Sequence, residues 1–367
     1  FGAFLVQNGQ TYDVQTTVNW KEANGLEDLN LPTAKTRYDN LSNVSLLSKD
    51  SLSMIVPTPA NTTNPTGYRD ADKVWHVYLS NSFAIYKQNI DMLLAQTGKK
   101  IYWVDTDEDA NLIVQSVSDL ENEAYQLTIQ KQNVELNANS YGGIVYGIQS
   151  LIQIDGAAQT QNNQWPLVSI SDSPRFAYRG FMLDISRNFY GLPKIKQVID
   201  LVSLYKLNHL DIKLSDDEGW RLDIPGLPEL TEVGSKRGYT VDERDRLIPM
   251  YGSGADGGET GNGFLSREAF IELLQYAKVR NVTVIPQISF PSHARAAIVA
   301  MEARRKRLME SGDLAAAEAF ALTDPEDKST YRSAQLYNDN AINICRESSY
   351  NFFEKVVDEI AEMYAAA

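Results

Sequence analysis

Polar residues of the kinds used in catalysis follow three apolar segments in the second half of the sequence, Gly180–Ile185, His209–Leu214 and Val282–Ile288. The polar residues at the segment ends are Asp184, Ser186, Arg187 and Asn188 for the first, Lys213, Ser215, Asp216, Asp217, Glu218 and Trp220 for the second, and Gln287, Ser289, Ser292 and His293 for the third. We call the edge where these segments end the rim. It would carry a guanidinium, adjacent carboxylates, an imidazole and an indole. Such a set could hold sugar hydroxyl groups and tune a proton-transfer group.

Each of these residues also has a purely structural interpretation. The run Asp216–Glu218 could form a solvated loop or a helix N-terminus, and Arg187 could simply pair with Asp184. His293 could be an N-terminal helix residue without a role. Their joint placement after successive segments favours a functional site, with Arg187, Asp216 and His293 as its candidates.

The apolar segments alternate with amphipathic helical patterns, which predicts an α/β fold built from parallel βαβ units. The predicted helices are Pro193–Tyr205, Ser266–Arg280, His293–Glu310 and Ser348–Ala366. Functional side chains of such folds lie at the carboxyl ends of the strands. Three strands cannot close an eight-stranded barrel, so we expect either an open sheet or a chain that continues.

The rest of the chain predicts two further regions. Residues 1–50 are polar and resemble the tail of an upstream domain followed by a linker, and Phe1–Gln7 reads like a strand already under way. Residues 51–172 predict an α+β domain without a catalytic constellation. Its predicted strands are Lys73–Leu79, Lys100–Val104, Asn111–Val117 and Ala124–Gln130, and its helices are Phe83–Thr97 and Tyr141–Ile154. Residues 173–367 form the α/β region.

Composition excludes several classes of function. The 367 residues carry 34 Lys and Arg against 48 Asp and Glu, a net charge of -14. This charge repels nucleic acid and anionic membranes, and a neutral ligand such as a sugar suits it better. Cys345 is the one cysteine, which excludes an internal disulfide or a multi-cysteine zinc site, and we expect it to be a buried small hydrophobe. The sequence contains no apolar run long enough for a transmembrane helix.

Common cofactor and hydrolase motifs receive no support. The residues 252–257 match a G-x-G-x-x-G pattern, but no clear buried strand precedes them and Asp256 would repel a pyrophosphate. We interpret them as part of a mobile loop over the rim. The sequence has no H-E-x-x-H, P-loop or G-x-S-x-G motif, and His76 has no second ligand in register. We therefore expect neither a metal nor another cofactor.

Five long segments resemble the β-N-acetylhexosaminidases of glycoside hydrolase family 20. They are RGFMLDISRNF (179–189), YKLNHLDIKLSDDEGWRLDIPGLPEL (205–230), GFLSREAFIELLQYAKVRNVTVIP (263–286), PSHARAAIVAMEAR (291–304) and YRSAQLYNDNAINIC (331–345). The resemblance implies a (β/α)8 TIM barrel, of which residues 173–367 supply the first three βα units. It also implies a small α+β domain before the barrel, and the end of a β-rich domain in residues 1–50.

The family removes terminal non-reducing N-acetylglucosamine or N-acetylgalactosamine from chitooligosaccharides or glycans by substrate-assisted retention. The acetamido oxygen of the substrate attacks the anomeric carbon, an Asp orients that group, and the neighbouring Glu protonates the leaving oxygen. By position, the resemblance implies that Arg187 binds the sugar O3 and O4 hydroxyls. Asp216 and His293 would form a supporting dyad that tunes the acid. Family habit implies a periplasmic or extracellular location.

The expected Asp-Glu pair is missing from this sequence. The family carries it in a His-x-Gly-Gly-Asp-Glu motif on the fourth strand, which would begin just after Ala367, and no such motif occurs in these residues. We therefore expect this chain alone to be inactive, and the remaining barrel could reside on another chain.

Two other motifs are altered. Asp211 and Lys213 stand where the second strand usually carries His-x-His. The third strand usually reads Glu-x-Asp-x-Pro-Gly before the histidine, and here that segment carries Gln287, Ser289 and Ser292. Fewer carboxylates and an added cation would shift the pKa of the acid. The alternative is a degenerate relative that binds N-acetylated sugars without hydrolysis.

Overall fold

The computed structural model describes residues 4–7, 10–13, 33–45, 53–159, 162–249, 253–255 and 261–367, which belong to two compact units, Phe1–Ser53 and Met54–Ala367. In the first unit, β1 (Phe4–Gln7) pairs antiparallel with β2 (Gln10–Asp13). The helix α1 (Ala34–Ser42) is capped by Thr33, whose side chain accepts a hydrogen bond from the amide of Thr36. Most of the predicted linker in residues 1–50 lies outside the described residues.

The second unit contains the remaining elements. Its strands are β3 (Asn61–Thr62), β4 (Tyr68–Asp70), β5 (Val74–Leu79), β6 (Lys100–Trp103), β7 (Leu112–Ser116), β8 (Tyr125–Ile129), β9 (Val134–Ala138), β10 (Gln164–Pro166), β11 (Val168–Asp172), β12 (Gly180–Asp184), β13 (His209–Lys213), β14 (Ser215–Asp216), β15 (Gly219–Trp220) and β16 (Thr283–Gln287). Its helices are α2 (Lys87–Leu94), α3 (Tyr141–Ala158), α4 (Gly191–Leu204), α5 (Glu229–Glu232), α6 (Arg267–Val279), α7 (Arg295–Glu310), α8 (Leu314–Glu318) and α9 (Glu347–Ala365).

A seven-stranded mixed sheet forms the first half of this unit, in the order β3-β11-β8-β9-β7-β5-β6. Its core packs alternate strand residues against the long helix α3, whose N-terminus is capped by the Ser140 side chain. The four predicted strands are confirmed within one residue at each end. The predicted helix over 83–97 consists of α2 between two short 3-10 helices, and Gly98 ends it with φ of 71°, as its C′ position predicts.

Three parallel strands, β12-β13-β16, form the second main sheet. Helices α4, α6 and α7 accompany them, and one hydrophobic cluster joins strands and helices. The predicted βαβ pattern is confirmed, and Ser266 caps α6 by accepting from the amide of Ala269. Helix α4 begins at Gly191, two residues before the predicted start. Within the residues described, the strands form an open sheet and no closed barrel.

Two surface features complete the fold. The prediction that Cys345 is buried is wrong, because it lies exposed in the turn before α9, where its amide donates to Asn343 Oδ1. In the parts of the chain that the structure covers, no helix has the length and apolarity needed to cross a membrane. The predicted boundaries at residues 50 and 172 stay predictions.

Candidate functional site

The loop after β12 places Arg187 at the rim of the parallel sheet. Asp184 ends the strand, and its Oδ1 accepts hydrogen bonds from the Ser186 amide, the Ser186 hydroxyl and the Arg187 amide. Burial alone would raise the pKa of Asp184, but the hydrogen bonds from Ser186 and Arg187 outweigh it and hold the pKa below its ordinary value. The ionised carboxylate thus fixes the turn that presents the arginine.

Each nitrogen of the Arg187 guanidinium faces a different carboxylate. Nη1 donates to Asp184 Oδ2 at 2.5 Å, Nη2 lies 3.0 Å from Asp216 Oδ2, and Nε lies 3.5 Å from Glu218 Oε2. The interpretation that Arg187 pairs with Asp184 is therefore correct but incomplete. The side chain remains 35% exposed, so the outer N–H groups of Nη1 and Nη2 can reach a ligand at the rim.

The run Asp216–Glu218 forms a tight hairpin between β14 and β15, and all three residues are buried. The alternative of a solvated loop or a helix N-terminus is therefore wrong. Gly219 allows the close packing, since a Cβ atom there would lie 2.6 Å from the Ser186 carbonyl oxygen and 2.4 Å from Arg221 Nη2. The hairpin is thus pressed against the loop that carries Arg187.

Glu218 is the least compensated charged group of the site. Both carboxylate oxygens are buried and neither accepts a hydrogen bond within the described residues. Burial, reinforced by the neighbouring charge of Asp216, raises the pKa of Glu218 to about 7. A buried carboxylate left without hydrogen bonds is costly, and such exceptions call for an explanation.

His293 lies beside the buried hairpin. Its Nδ1 is 3.5 Å from Asp216 Oδ1 and 3.4 Å from Asp217 Oδ2, so the ring faces two carboxylates where the sequence predicts one. Asp217 is held by the amide of Arg295 and the side chain of Asn340. His293 precedes α7 and has a left-handed φ of 56°, so the alternative of a helical residue is wrong. A backbone set this way aims the ring at the hairpin.

Lys213 adds a second cation at Asp216. Its Nζ lies 2.8 Å from Asp216 Oδ2, the oxygen that Arg187 also contacts, and donates to Ser289 Oγ at 3.2 Å. Ser289 in turn binds Ser215 through its amide and hydroxyl. Lys213 and Ser289, two of the departures from the family pattern, therefore contact each other and link β13 to the segment after β16.

The other predicted rim residues differ in their exposure. Trp220 is fully buried, donates to the Leu222 carbonyl oxygen and packs edge-on against Phe352, so the prediction that its indole lies on the rim is wrong. Its ring is large and apolar, and the core offers it both a packing partner and an acceptor. Gln287 and Ser292 are exposed. The G-x-G-x-x-G stretch falls largely outside the described residues.

The sequence analysis did not identify Arg221, which holds the loop that carries Arg187. This fully buried guanidinium donates to the carbonyl oxygens of Ser186, Ser235, Gly261 and Gly263. It thereby joins the Arg187 loop to the segment before α6. The signal available in the sequence was an arginine between two large apolar residues, Trp220 and Leu222.

Asp216, Asp217 and His293 also offer ligand atoms that lie within 4.8 Å of one another, as a metal ion requires. Asp216 is already in contact with the ammonium of Lys213 and the guanidinium of Arg187. Two fixed cations beside the donor set oppose a third positive charge, so we assign it to ion pairing.

Comparison with known proteins matches nearly all of the second unit. The glycosyl hydrolase family 20 catalytic domain matches residues 176–367, and domain 2 of that family matches residues 52–173. The N,N'-diacetylchitobiase of Vibrio harveyi is 37% identical over 99% of this chain and 41% of its own length. The β-hexosaminidase of Vibrio vulnificus is 36% identical over 97% of this chain and 42% of its own. The chain therefore spans about two fifths of the length of these relatives.

A solved structure is also similar. The exo-β-N-acetylglucosaminidase of Vibrio harveyi in complex with N-acetylglucosamine has a TM-score of 0.70 and 31% identity. The match covers 84% of this chain and 45% of that one.

Proposed function

The chain belongs to glycosyl hydrolase family 20, and from that premise we propose that it forms part of a β-N-acetylhexosaminidase. The substrate would be an oligosaccharide, such as a chitooligosaccharide or a glycan, that ends in non-reducing N-acetylglucosamine or N-acetylgalactosamine. The described strands β12, β13 and β16 would be the first three of a TIM barrel, and the location would be periplasmic or extracellular.

The geometry of Arg187 carries the proposal. Carboxylates hold the guanidinium from the protein side, while its outer Nη groups stay open at the rim. A guanidinium fork fixed in this way suits two neighbouring hydroxyl groups, such as O3 and O4 of a hexosamine. The ion pairs also order the long side chain before the sugar binds, which lowers the entropic cost of binding.

Asp216 and His293 would act as a supporting pair for the acid. His293 Nδ1 lies 3.5 Å from Asp216 Oδ1, so the imidazole and the carboxylate are close enough to interact electrostatically. In substrate-assisted retention, the acetamido oxygen closes on the anomeric carbon while an acid protonates the leaving oxygen. A charged group beside that acid would tune its pKa, which is the role we propose for this pair.

The 367 residues alone would bind the sugar without cleaving it. They contain no His-x-Gly-Gly-Asp-Glu motif, so the acid and the carboxylate that orients the acetamido group would come from elsewhere. The remaining part of the barrel, on this or another polypeptide, would supply them.

A second function is favoured by one observation. Lys213, in the place of a usual histidine, lies 2.8 Å from Asp216 Oδ2, so the carboxylate that faces His293 through Oδ1 is also paired with a lysine. A protein altered in this way could hold N-acetylated sugars without hydrolysing them. Recovery of turnover in a Gln287→Glu, Ser289→Asp double variant of the active-length protein would argue against permanent loss of activity.

We expect the 41.1 kDa polypeptide to release no p-nitrophenol from p-nitrophenyl N-acetyl-β-glucosaminide above the buffer rate. Protein purified from its source should hydrolyse it, and a denaturing intact mass of that material shows which polypeptides accompany the activity. Turnover by the 41.1 kDa polypeptide alone would contradict the need for the missing pair. Source protein that binds N-acetylglucosamine but never hydrolyses would support the second function.

A further inference from the structure

Glu218 has no role in the mechanism described above, although its burial without hydrogen bonds is unfavourable. The charged groups that face it are Arg187, Asp216, Asp217, Arg221 and Arg237. Arg221 donates its hydrogen bonds to backbone carbonyl oxygens. Among the residues that the structure describes, Arg187 is the cation within 4 Å of Glu218, with its Nε 3.5 Å from Oε2. This distance is longer than a hydrogen bond, so the two groups face each other without forming one.

We infer that Glu218 is a positioning residue for sugar binding: its carboxylate accepts the Nε–H of Arg187 in the sugar-bound state and fixes the guanidinium plane. The inference rests on the proposed sugar site at Arg187. In the free protein the arginine is partly exposed, and water can accept the Nε–H. A sugar seated on the Nη groups would displace that water, and Glu218 Oε2 then lies nearest to replace it.

The charge state of Glu218 gives this role a signature. Burial and Asp216 raise the pKa of Glu218 to about 7, so the carboxylate becomes ionised as the pH rises through neutrality. An ionised acceptor binds the guanidinium more strongly than a neutral one. Sugar affinity should therefore increase with pH across this range.

Stability should change in the opposite direction. A carboxyl group whose pKa is higher in the folded than in the unfolded chain binds its proton more tightly when folded. The ordinary pKa of a glutamate is 4.5. The stabilising contribution of Glu218 to the free energy of unfolding is fully present below that pH and is lost as the pH rises through about 7. Glutamine stays neutral at every pH, so the Glu218→Gln variant does not lose this stability at high pH. It should therefore be more resistant to urea than the wild type at pH 8.

The test measures the N-acetylglucosamine dissociation constant and the urea midpoint of wild type and Glu218→Gln at pH 5.5 and pH 8. At pH 8 we expect the variant to bind about tenfold more weakly yet unfold at higher urea, since charged hydrogen bonds exceed neutral ones by this order. At pH 5.5 the two proteins should bind alike. The difference between the two proteins at each pH is the readout.

Glu229→Gln is the matched control. Glu229 is also buried, but Arg304 and Arg307 bind its carboxylate. Burial alone would raise the pKa of Glu229, and the hydrogen bonds from these arginines outweigh it and lower the pKa instead. This variant should unfold at lower urea at pH 8 and keep the wild-type sugar affinity.

Three outcomes would overturn the inference. Equal binding of wild type and Glu218→Gln at pH 8 would remove the role of Glu218 and leave the proposed sugar site intact. A variant that loses urea resistance and affinity together at both pH values would show a merely structural residue. Wild-type protein without measurable sugar affinity would remove the inference together with the proposed function.

Discussion

Replacing Arg187 with alanine is expected to weaken N-acetylglucosamine binding by about 100-fold, equivalent to about 2.7 kcal/mol. The change removes the fork that would hold two sugar hydroxyls. It also leaves Asp184, Asp216 and Glu218 without the cation they share. Lys213 would still contact Asp216, but Asp184 and Glu218 would lose their guanidinium partner, so the repulsion among the carboxylates would increase. Isothermal titration of the sugar into wild type and variant at pH 8 measures the effect.

Two controls separate charge, geometry and general damage. Arg187→Lys keeps the positive charge but lacks the planar fork, so it should fold like the wild type and recover little of the affinity. Arg267→Ala removes an arginine whose ion pair with Glu362 is largely exposed, and it should bind the sugar normally. Full affinity in Arg187→Ala would place the sugar elsewhere and contradict the proposed site.

Replacing Arg221 with methionine is expected to lower the free energy of unfolding by about 4 kcal/mol. Methionine fills much of the volume but donates no hydrogen bond. The carbonyl oxygens of Ser186, Ser235, Gly261 and Gly263 would then be buried without this donor. Because Ser186 adjoins Arg187, sugar affinity should fall as well. Urea unfolding at pH 7 followed by tryptophan fluorescence measures the loss.

Arg280→Met is the corresponding control, at a buried arginine that directly follows α6. Arg280 is also buried, but it pairs with Asp200, which is partly exposed, and stacks on Tyr276. Water can replace the lost partner of Asp200, so we expect a loss of about 1–2 kcal/mol without a change in sugar affinity. An Arg221→Met protein within 1 kcal/mol of the wild type would show that the carbonyl oxygens find other donors.

The alternation of apolar strands and amphipathic helices was enough to predict the parallel sheet. Strands β12, β13 and β16 coincide with the three apolar segments of the sequence. Their carboxyl ends bring Arg187, Asp216 and His293 together. Local rules also account for the caps that the structure shows at Ser266 and Gly98. In these places sequence-local chemistry and the final packing agree.

The rest depends on contacts distant in sequence. The exposure of a residue such as Trp220 depends on whether a neighbour such as Phe352 covers it, which periodicity does not reveal. The second carboxylate at His293 and the burial of the whole 216–218 run follow from a hairpin too short to register as two strands. Arg221 finds carbonyl oxygens up to 42 residues away. Such tertiary partners have no signature in a single sequence.

The most direct test of the account is a crystal structure of the protein with bound N-acetylglucosamine. We expect the sugar at the carboxyl ends of β12, β13 and β16, with its O3 and O4 hydroxyls accepting from the Nη groups of Arg187. The Nε of Arg187 should then lie within hydrogen-bond distance of Glu218. A sugar bound elsewhere, with Arg187 still facing water, would contradict the proposed site.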